Sequence, residues 1–313
     1  MDAALGIVVR WALVADLMLL FGVPLFAIYS AAAIRAEITA PLRSPIAWIA
    51  LVGFLLSILG MAILAATMSG VPLAQIDTAT LSILVTQTAV GTAFLVRLAA
   101  TAVAFVLGLQ RSGRRVLVFA VALCGAVALG SVAWSGHGVM NDGRTGILHL
   151  VADIVHLLAA GVWVGALASL LCVLITARHG STATSHRALA DFASVGTASV
   201  ALVLASGLVN SWLLVGPQNI LSLGTSLYGQ LLLIKLVLFT GMASLAAINR
   251  VRLTPAMGTA RTPDDTPGAE AAPAQPDTRD ICGHFYPGAG CLAWHPRTAG
   301  IGDVSNKPMR QVL

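Results

Sequence analysis

Seven long apolar segments follow one another through residues 1–250, and they constrain the fold more than any other feature of the sequence. They cover roughly residues 5–29, 44–68, 81–109, 116–134, 147–176, 192–215 and 228–249. A helix needs about 20 consecutive apolar residues to cross the hydrocarbon core of a bilayer. Each segment is continuous and rich in Leu, Ala and Val, whereas the strands of a membrane barrel alternate apolar and polar residues. We therefore predict an all-α, polytopic transmembrane helical bundle with about seven spans.

The composition agrees with a membrane-embedded chain. Of the 313 residues, 58% are hydrophobic and 10% are charged, whereas soluble domains carry roughly a quarter charged residues. The net charge of +5 is modest, and we expect no nucleic-acid partner. The first segment lacks a basic flank and a small-residue cleavage site, so we interpret it as a retained span.

Positive charge alternates between successive loops and predicts the orientation. Arginines follow the odd-numbered spans at Arg35, Arg43, Arg111, Arg114, Arg115, Arg178, Arg187, Arg250 and Arg252. The loops after spans two and six carry no Lys or Arg, and the loop after span four has only Arg144, balanced by Asp142. Since cytoplasmic loops are enriched in Lys and Arg, we expect the amino terminus on the periplasmic side and the carboxy-terminal tail in the cytoplasm.

The composition changes at Thr254 to Pro, Gly, Asp, Thr and Ala. No apolar segment of spanning length follows. We predict a transmembrane domain over residues 1–253 and a disordered or aberrant cytoplasmic tail over residues 254–313.

Ionisable residues inside the spans are the informative exceptions, because each costs several kcal/mol near the bilayer centre. Arg10, Asp16, Arg97 and Lys235 lie on odd-numbered spans, as do Asp153 and His156. We predict that they meet in one buried cluster whose opposite charges nearly cancel. The alternative is a set of static ion pairs that fix the helix register.

Span five, which contains HLVADIVHLLAAGVWVG from His149, is the richest segment. At about 100° per residue, His149, Asp153 and His156 fall on one stripe of the helix. Imidazole and carboxylate groups are metal ligands, and the preceding loop adds His137 and Met140 as candidate donors. Asp153 could instead accept a hydrogen bond from an imidazole and orient it, without binding the metal itself. A metal or proton pathway and simple helix packing remain as alternatives.

Two stretches resemble the CopD copper-resistance family: SGHGVMNDGRTGILHLVADIVHLLAAGVWVGAL and YGQLLLIKLVLFTGMASLAAINRVRLTPAM. The resemblance implies a bacterial inner-membrane protein that moves copper and works with a periplasmic CopC-like copper chaperone. It carries the family's histidine and aspartate pattern over to His149, Asp153 and His156, with His137 in the loop and Lys235 as the membrane lysine. The family usually has an eighth helix, which the sequence after Thr254 does not supply.

Two other functions remain open, a haem-binding electron carrier and a metal-delivery factor for respiratory oxidase assembly. Haem would need axial ligands on facing helices, whereas the spanning histidines lie on one segment. We expect no enzymatic activity, because no nucleophile stands beside the histidines and the H-E-x-x-H motif is absent.

Overall fold

The protein is described by a computed structural model over residues 2–30, 32–110, 114–135, 143–176, 182–215 and 227–248. These residues form helices joined by short turns, without a strand among them. The helices are α1 (Asp2–Tyr29), α2 (Ala32–Ser69), α3 (Thr78–Gln87), α4 (Ala89–Leu109), α5 (Arg115–Gly130), α6 (Gly143–Thr176), α7 (Thr182–Val215) and α8 (Leu227–Ile248). Two 3₁₀ turns, Leu73–Gln75 and Ser131–Ser135, complete this part of the chain. The predicted all-α class is confirmed.

Six helical segments in the described residues are long and apolar enough to cross a membrane. They are Ala4–Tyr29, Pro45–Ser69, Ala89–Leu109, Arg115–Ser135, Gly143–Val173 and Ser194–Leu214. These six correspond to the first six predicted spans. Helix α8 lies where the seventh was predicted.

The third predicted span is divided, because the helix stops at Thr88. This residue is extended, with φ −119° and ψ 151°. Its hydroxyl donates to the carbonyl of Leu84 at 2.6 Å and accepts from the amide of Gly91 at 2.9 Å. One side chain thus satisfies a carbonyl at the end of α3 and an amide at the start of α4, which lowers the cost of the break.

Helix α1 is central, since α2, α5 and α6 all pack against it. Its residues Leu13, Leu17 and Leu20 are buried in one cluster with Ala100 and Ala104 of α4. The contact with α6 is made by glycines: a Cβ atom at Gly22 would overlap the carbonyl oxygen of Gly161. Small residues at this crossing let the two backbones touch, as they do in other membrane helix pairs.

Close approaches between helices fix their directions. Gly6 of α1 lies beside Ile63 of α2, and Asp16 lies beside Gly53, so α1 and α2 are antiparallel. The guanidinium of Arg115, at the start of α5, donates to the carbonyl of Ile28 at 3.3 Å near the end of α1.

Helix α6 runs parallel to α1. Val23 and Phe26 of α1 share a buried cluster with Ala166, Leu170 and Val173 of α6, while Gly22 meets Gly161. The residue numbers increase together along both helices. The amino-terminal ends of α1 and α6 therefore lie on the same side of the bundle.

Candidate functional site

Two ionisable residues of α6, Asp153 and His156, are positioned by α7. The carboxylate of Asp153 accepts a hydrogen bond of 2.6 Å from the side-chain amide of Asn210. One turn further along α6, His156 meets Ser206, which lies one turn before Asn210 on α7. Asp153 and His156 therefore share one face of α6, as the stripe predicted, and this face is directed at α7.

The contacts of His156 determine which ring nitrogen carries the proton. Nδ1 lies 3.1 Å from the backbone oxygen of Val203 and 3.1 Å from the hydroxyl of Ser206. A carbonyl can only accept, and the Ser206 hydroxyl already donates to the carbonyl of Leu202 at 2.5 Å. Both neighbours of Nδ1 are therefore acceptors, so in the neutral ring Nδ1 is protonated and Nε2 carries the lone pair. This is the arrangement of a metal-binding histidine whose second nitrogen is fixed by a backbone carbonyl.

Gly207 gives the imidazole its space. A Cβ atom at this position would lie 3.3 Å from Cε1 and 3.6 Å from Nδ1 of His156. The ring therefore lies directly against the backbone of α7. A larger side chain at residue 207 would have to displace it.

His149 lies two turns before His156 and is only 3% exposed. Its Nδ1 atom is enclosed and has no hydrogen-bond partner among the described residues. A buried polar nitrogen without a partner is costly, which makes this ring a candidate for binding something from outside the chain.

The remaining predicted donors, His137 and Met140, lie outside the described residues. Within the described ranges, no three His, Cys, Asp or Glu side chains come close enough together to hold a metal ion. His149, Asp153 and His156 thus form a row along α6 and not a closed coordination sphere.

The residues of the predicted charge cluster differ in burial in the part of the chain that the structure describes. Arg10 is exposed on α1, whereas Arg97 of α4 is 5% exposed. Oδ2 of Asp16 and Nε of Arg97 are enclosed without hydrogen-bond partners among the described residues. The backbone of Lys235 belongs to α8, and its side chain lies outside the part of the protein that the structure describes.

The α7 residues that contact this row were not predicted from the sequence. Ser206 and Asn210 are polar, lie four residues apart in an apolar segment and so occupy one helix face. That spacing could have identified Ser206 and Asn210 as candidate contacts from the sequence. Gly207 could not have been identified in this way, because a glycine in an apolar helix does not indicate which residue it contacts.

Two family models match the chain. The model of the copper resistance protein D-like, N-terminal domain covers residues 1–147, and the model of copper resistance protein D covers residues 186–278. Copper resistance protein D of Pseudomonas syringae pv. tomato is 40% identical over 271 residues, or 82% of this chain and 84% of that relative. This chain belongs to the copper resistance protein D family.

Shorter matches agree with this family. The inner membrane protein YebZ of Escherichia coli is 34% identical over 126 residues, which cover 40% of this chain and 42% of YebZ. The copper transport protein CutJ of Bacillus subtilis is 30% identical over 118 residues, which cover 37% of this chain and 21% of CutJ. No solved structure matches the chain. As a member of the copper resistance protein D family with several spanning helices, it is a multi-pass membrane protein.

Proposed function

We propose that this protein transports copper ions across the bacterial inner membrane, taking them up from the periplasmic side. The observation that carries the proposal is the row of His149, Asp153 and His156 on α6, in a chain of the copper resistance protein D family. Imidazole nitrogen suits copper, and a nearby carboxylate offsets part of the ion's charge.

The ions enter at the amino-terminal end of α6. His137 and Met140 immediately precede this helix in the sequence and would supply the first donors. The enclosed Nδ1 of His149 is the next one along the chain. A CopC-like periplasmic chaperone would deliver copper to this end.

Transfer along α6 then uses groups that α7 already orients. The proton on Nδ1 of His156 is directed at Val203, so Nε2 is the nitrogen that binds copper. Asp153 lies between the two histidines in sequence and is held by Asn210. A row of incomplete sites suits a transported ion, because each site must release the ion as well as bind it.

Copper uptake in cells tests this proposal. His149→Ala, Asp153→Ala and His156→Ala are expected to lower copper accumulation by about tenfold or more, since each removes a ligand or its charge partner. His186→Ala is the matched control, because His186 lies near the start of α7, far along that helix from Ser206. Membrane insertion is verified for each variant by immunoblotting.

Equal copper accumulation by the wild type and all three α6 variants would contradict the proposal. The absorbance spectrum of the purified protein tests the haem alternative, because a bound haem would give a strong band. Activity of a copper-dependent respiratory oxidase, measured in the same strains, tests the delivery alternative. A delivery factor would change oxidase activity without changing cytoplasmic copper.

A further inference from the structure

A second buried polar site lies between α1, α2 and α4, away from the row on α6. Its centre is Gly53 of α2, where a Cβ atom would lie 2.6 Å from Oδ2 of Asp16 and 3.7 Å from Cγ2 of Thr101. The absence of a side chain at residue 53 therefore makes room for a carboxylate inside the bundle. Thr101 is fully buried on the α4 side of the same space.

Arg97 lies one helical turn from Thr101 on α4. The two helices are antiparallel, since Gly108 of α4 approaches Ala47 of α2 while Thr101 approaches Gly53. Arg97 is thus about one turn, roughly 5 Å along the axis, from the level of Asp16. The site therefore contains one acid and one base at neighbouring depths.

The neighbouring hydroxyl groups do not satisfy these charges. Ser57 donates to the carbonyl of Gly53 at 2.6 Å, and Thr101 donates to the carbonyl of Arg97 at 2.8 Å. Both hydroxyl protons are used within their own helices, so neither is available to the Asp16 carboxylate. Oδ2 of Asp16 and Nε of Arg97 have no hydrogen-bond partner among the described residues.

A purely structural role explains this arrangement poorly. A buried ion pair can fix helix register, but a half-buried carboxylate and a buried guanidinium that do not bond to one another destabilise the fold. The site is also a poor one for a copper ion, because the guanidinium of Arg97 repels the ion. A proton, in contrast, binds one carboxylate oxygen covalently and needs no coordination sphere.

We infer that Asp16 is a proton-binding residue that couples proton movement to copper movement, with Arg97 as the fixed charge that excludes metal ions from its site. The proton adds to a carboxylate oxygen of Asp16 from water and leaves as a proton, so no electron is transferred. The inference rests on the proposed copper transport. Proton binding at Asp16 would bring in an ion whose gradient can drive that transport.

Several other titratable groups lie on the helices around α1. Cys124 of α5 packs against the cluster of Leu13 and Leu17. Asp153 and His156 of α6 are directed at α7. On α2, Gly53 and Ser57 face the site and carry no titratable group. His149 of α6 is also buried, two turns before His156 on that helix. Among the described residues named here, Arg97 is the charged residue that α4 places beside Asp16, one turn from Thr101.

Infrared spectroscopy of the full-length protein in vesicles tests proton binding without copper. From about pH 5 to about pH 9, the wild type is expected to show a protonated-carboxyl band that titrates. Asp16→Asn is expected to remove this band, whereas Asp153→Asn, the matched control, is expected to retain it. A band unchanged by Asp16→Asn, or no titrating band in the wild type, would overturn the inference.

Copper flux measured in the same vesicles tests the coupling. An imposed proton gradient is expected to change the initial rate of copper movement severalfold in the wild type and not in Asp16→Asn, with copper binding unchanged. Arg97→Gln, which keeps Asp16, is expected to retain the titrating band and to change the pH at which it titrates. A wild type that moves no copper would refute the proposed transport, while the infrared result would still decide whether Asp16 binds a proton. Equal gradient dependence in the wild type and Asp16→Asn would overturn the coupling.

Discussion

Two of the three side chains on the α6 row, Asp153 and His156, are oriented by particular neighbours on α7. Asn210 donates to Asp153, and Val203 and Ser206 accept from His156. Hydrogen bonds between membrane helices contribute about 0.5–2 kcal/mol each, so these contacts stabilise the helix pair only modestly. Their larger effect is to fix the direction of the lone pairs that would bind an ion.

The close contact between Gly207 and His156 gives a sharp prediction. Gly207→Ala places a methyl group 3.3 Å from Cε1 of His156 and so pushes the ring away from Val203. Loss of an orienting contact typically lowers metal affinity about 10–100-fold. We expect a decrease of this size in copper affinity, measured by competition with a chelator of known affinity. Gly241→Ala is the control, since among the described residues outside its own helical turns no atom lies within 4 Å of a Cβ atom at residue 241.

A second prediction concerns Asn210. Asn210→Ala removes the 2.6 Å hydrogen bond to Asp153 and leaves the carboxylate in place. We expect the free energy of unfolding in detergent to fall by about 0.5–2 kcal/mol, and copper affinity to fall with it. Ser211→Ala, at the next position on α7, serves as the comparison. Equal losses in both variants would show that the Asn210 contact has no specific role.

The sequence allowed the residues of this row to be predicted, but not their partners on α7. The 100° step of a helix places Asp153 and His156 on one face, and the structure agrees. The periodicity does not determine which helix that face meets, so Asn210 and Ser206 became visible only in the fold. The direction of the ring nitrogens depends on those partners, so it could not be predicted from the sequence either. Whether His149, Asp153 and His156 bind copper stays a prediction.

At the scale of elements, glycines determine how closely α1 and α6 approach. Cβ atoms at Gly22 and Gly165 would overlap the facing backbone. Gly161 and Gly165 form a GxxxG pair, which in an apolar helix is typical of close helix packing. The ionisable residues of this segment were predicted from the sequence, whereas this glycine pair was not.

The α1–α6 contact predicts a strong effect of a single methyl group. Gly22→Ala would separate the two helices or distort them, with an expected cost of about 1–3 kcal/mol or more in the free energy of unfolding. The measurement is folded protein recovered from membranes, together with its unfolding in detergent. Gly60→Ala is the control, because a Cβ atom there comes no closer than 3.9 Å to Val9. Similar recovery of both variants would contradict tight packing at Gly22.

Helix boundaries were predicted less accurately than helix positions. Apolar length locates a span, because only about 20 residues fit the hydrocarbon core. It does not reveal a break such as Thr88, where a side chain replaces the missing backbone bonds. It also misses polar extensions, and α2 begins at Ala32 and α7 at Thr182, each about ten residues before the predicted span.

In the whole bundle, the helix directions agree with the alternation of charged loops. The 3.3 Å bond from Arg115 to Ile28 places the start of α5 beside the end of α1. The arginine-rich ends after spans one and three therefore lie on one side. The amino-terminal ends of α1 and α6 lie on the other. Asp16, Arg97, Asp153 and His156 occur at comparable depths between these two sides, as the helix contacts around Gly53, Gly22 and Gly207 require.

The orientation of the bundle in the membrane decides from which side copper reaches α6, and it is testable with single cysteines. The background has Cys124, Cys172, Cys282 and Cys291 replaced by alanine. Gln75→Cys lies in the exposed turn after α2, on the predicted periplasmic side, and Arg114→Cys lies just before α5, on the predicted cytoplasmic side.

A membrane-impermeant maleimide applied to spheroplasts is expected to label Gln75→Cys and not Arg114→Cys, because the arginine-rich loops stay in the cytoplasm. Permeabilised cells serve as the control, in which both cysteines should react. The reverse pattern would place the His149 end of α6 in the cytoplasm. Copper capture from a periplasmic chaperone at that end would then be impossible, whatever the affinity of the row.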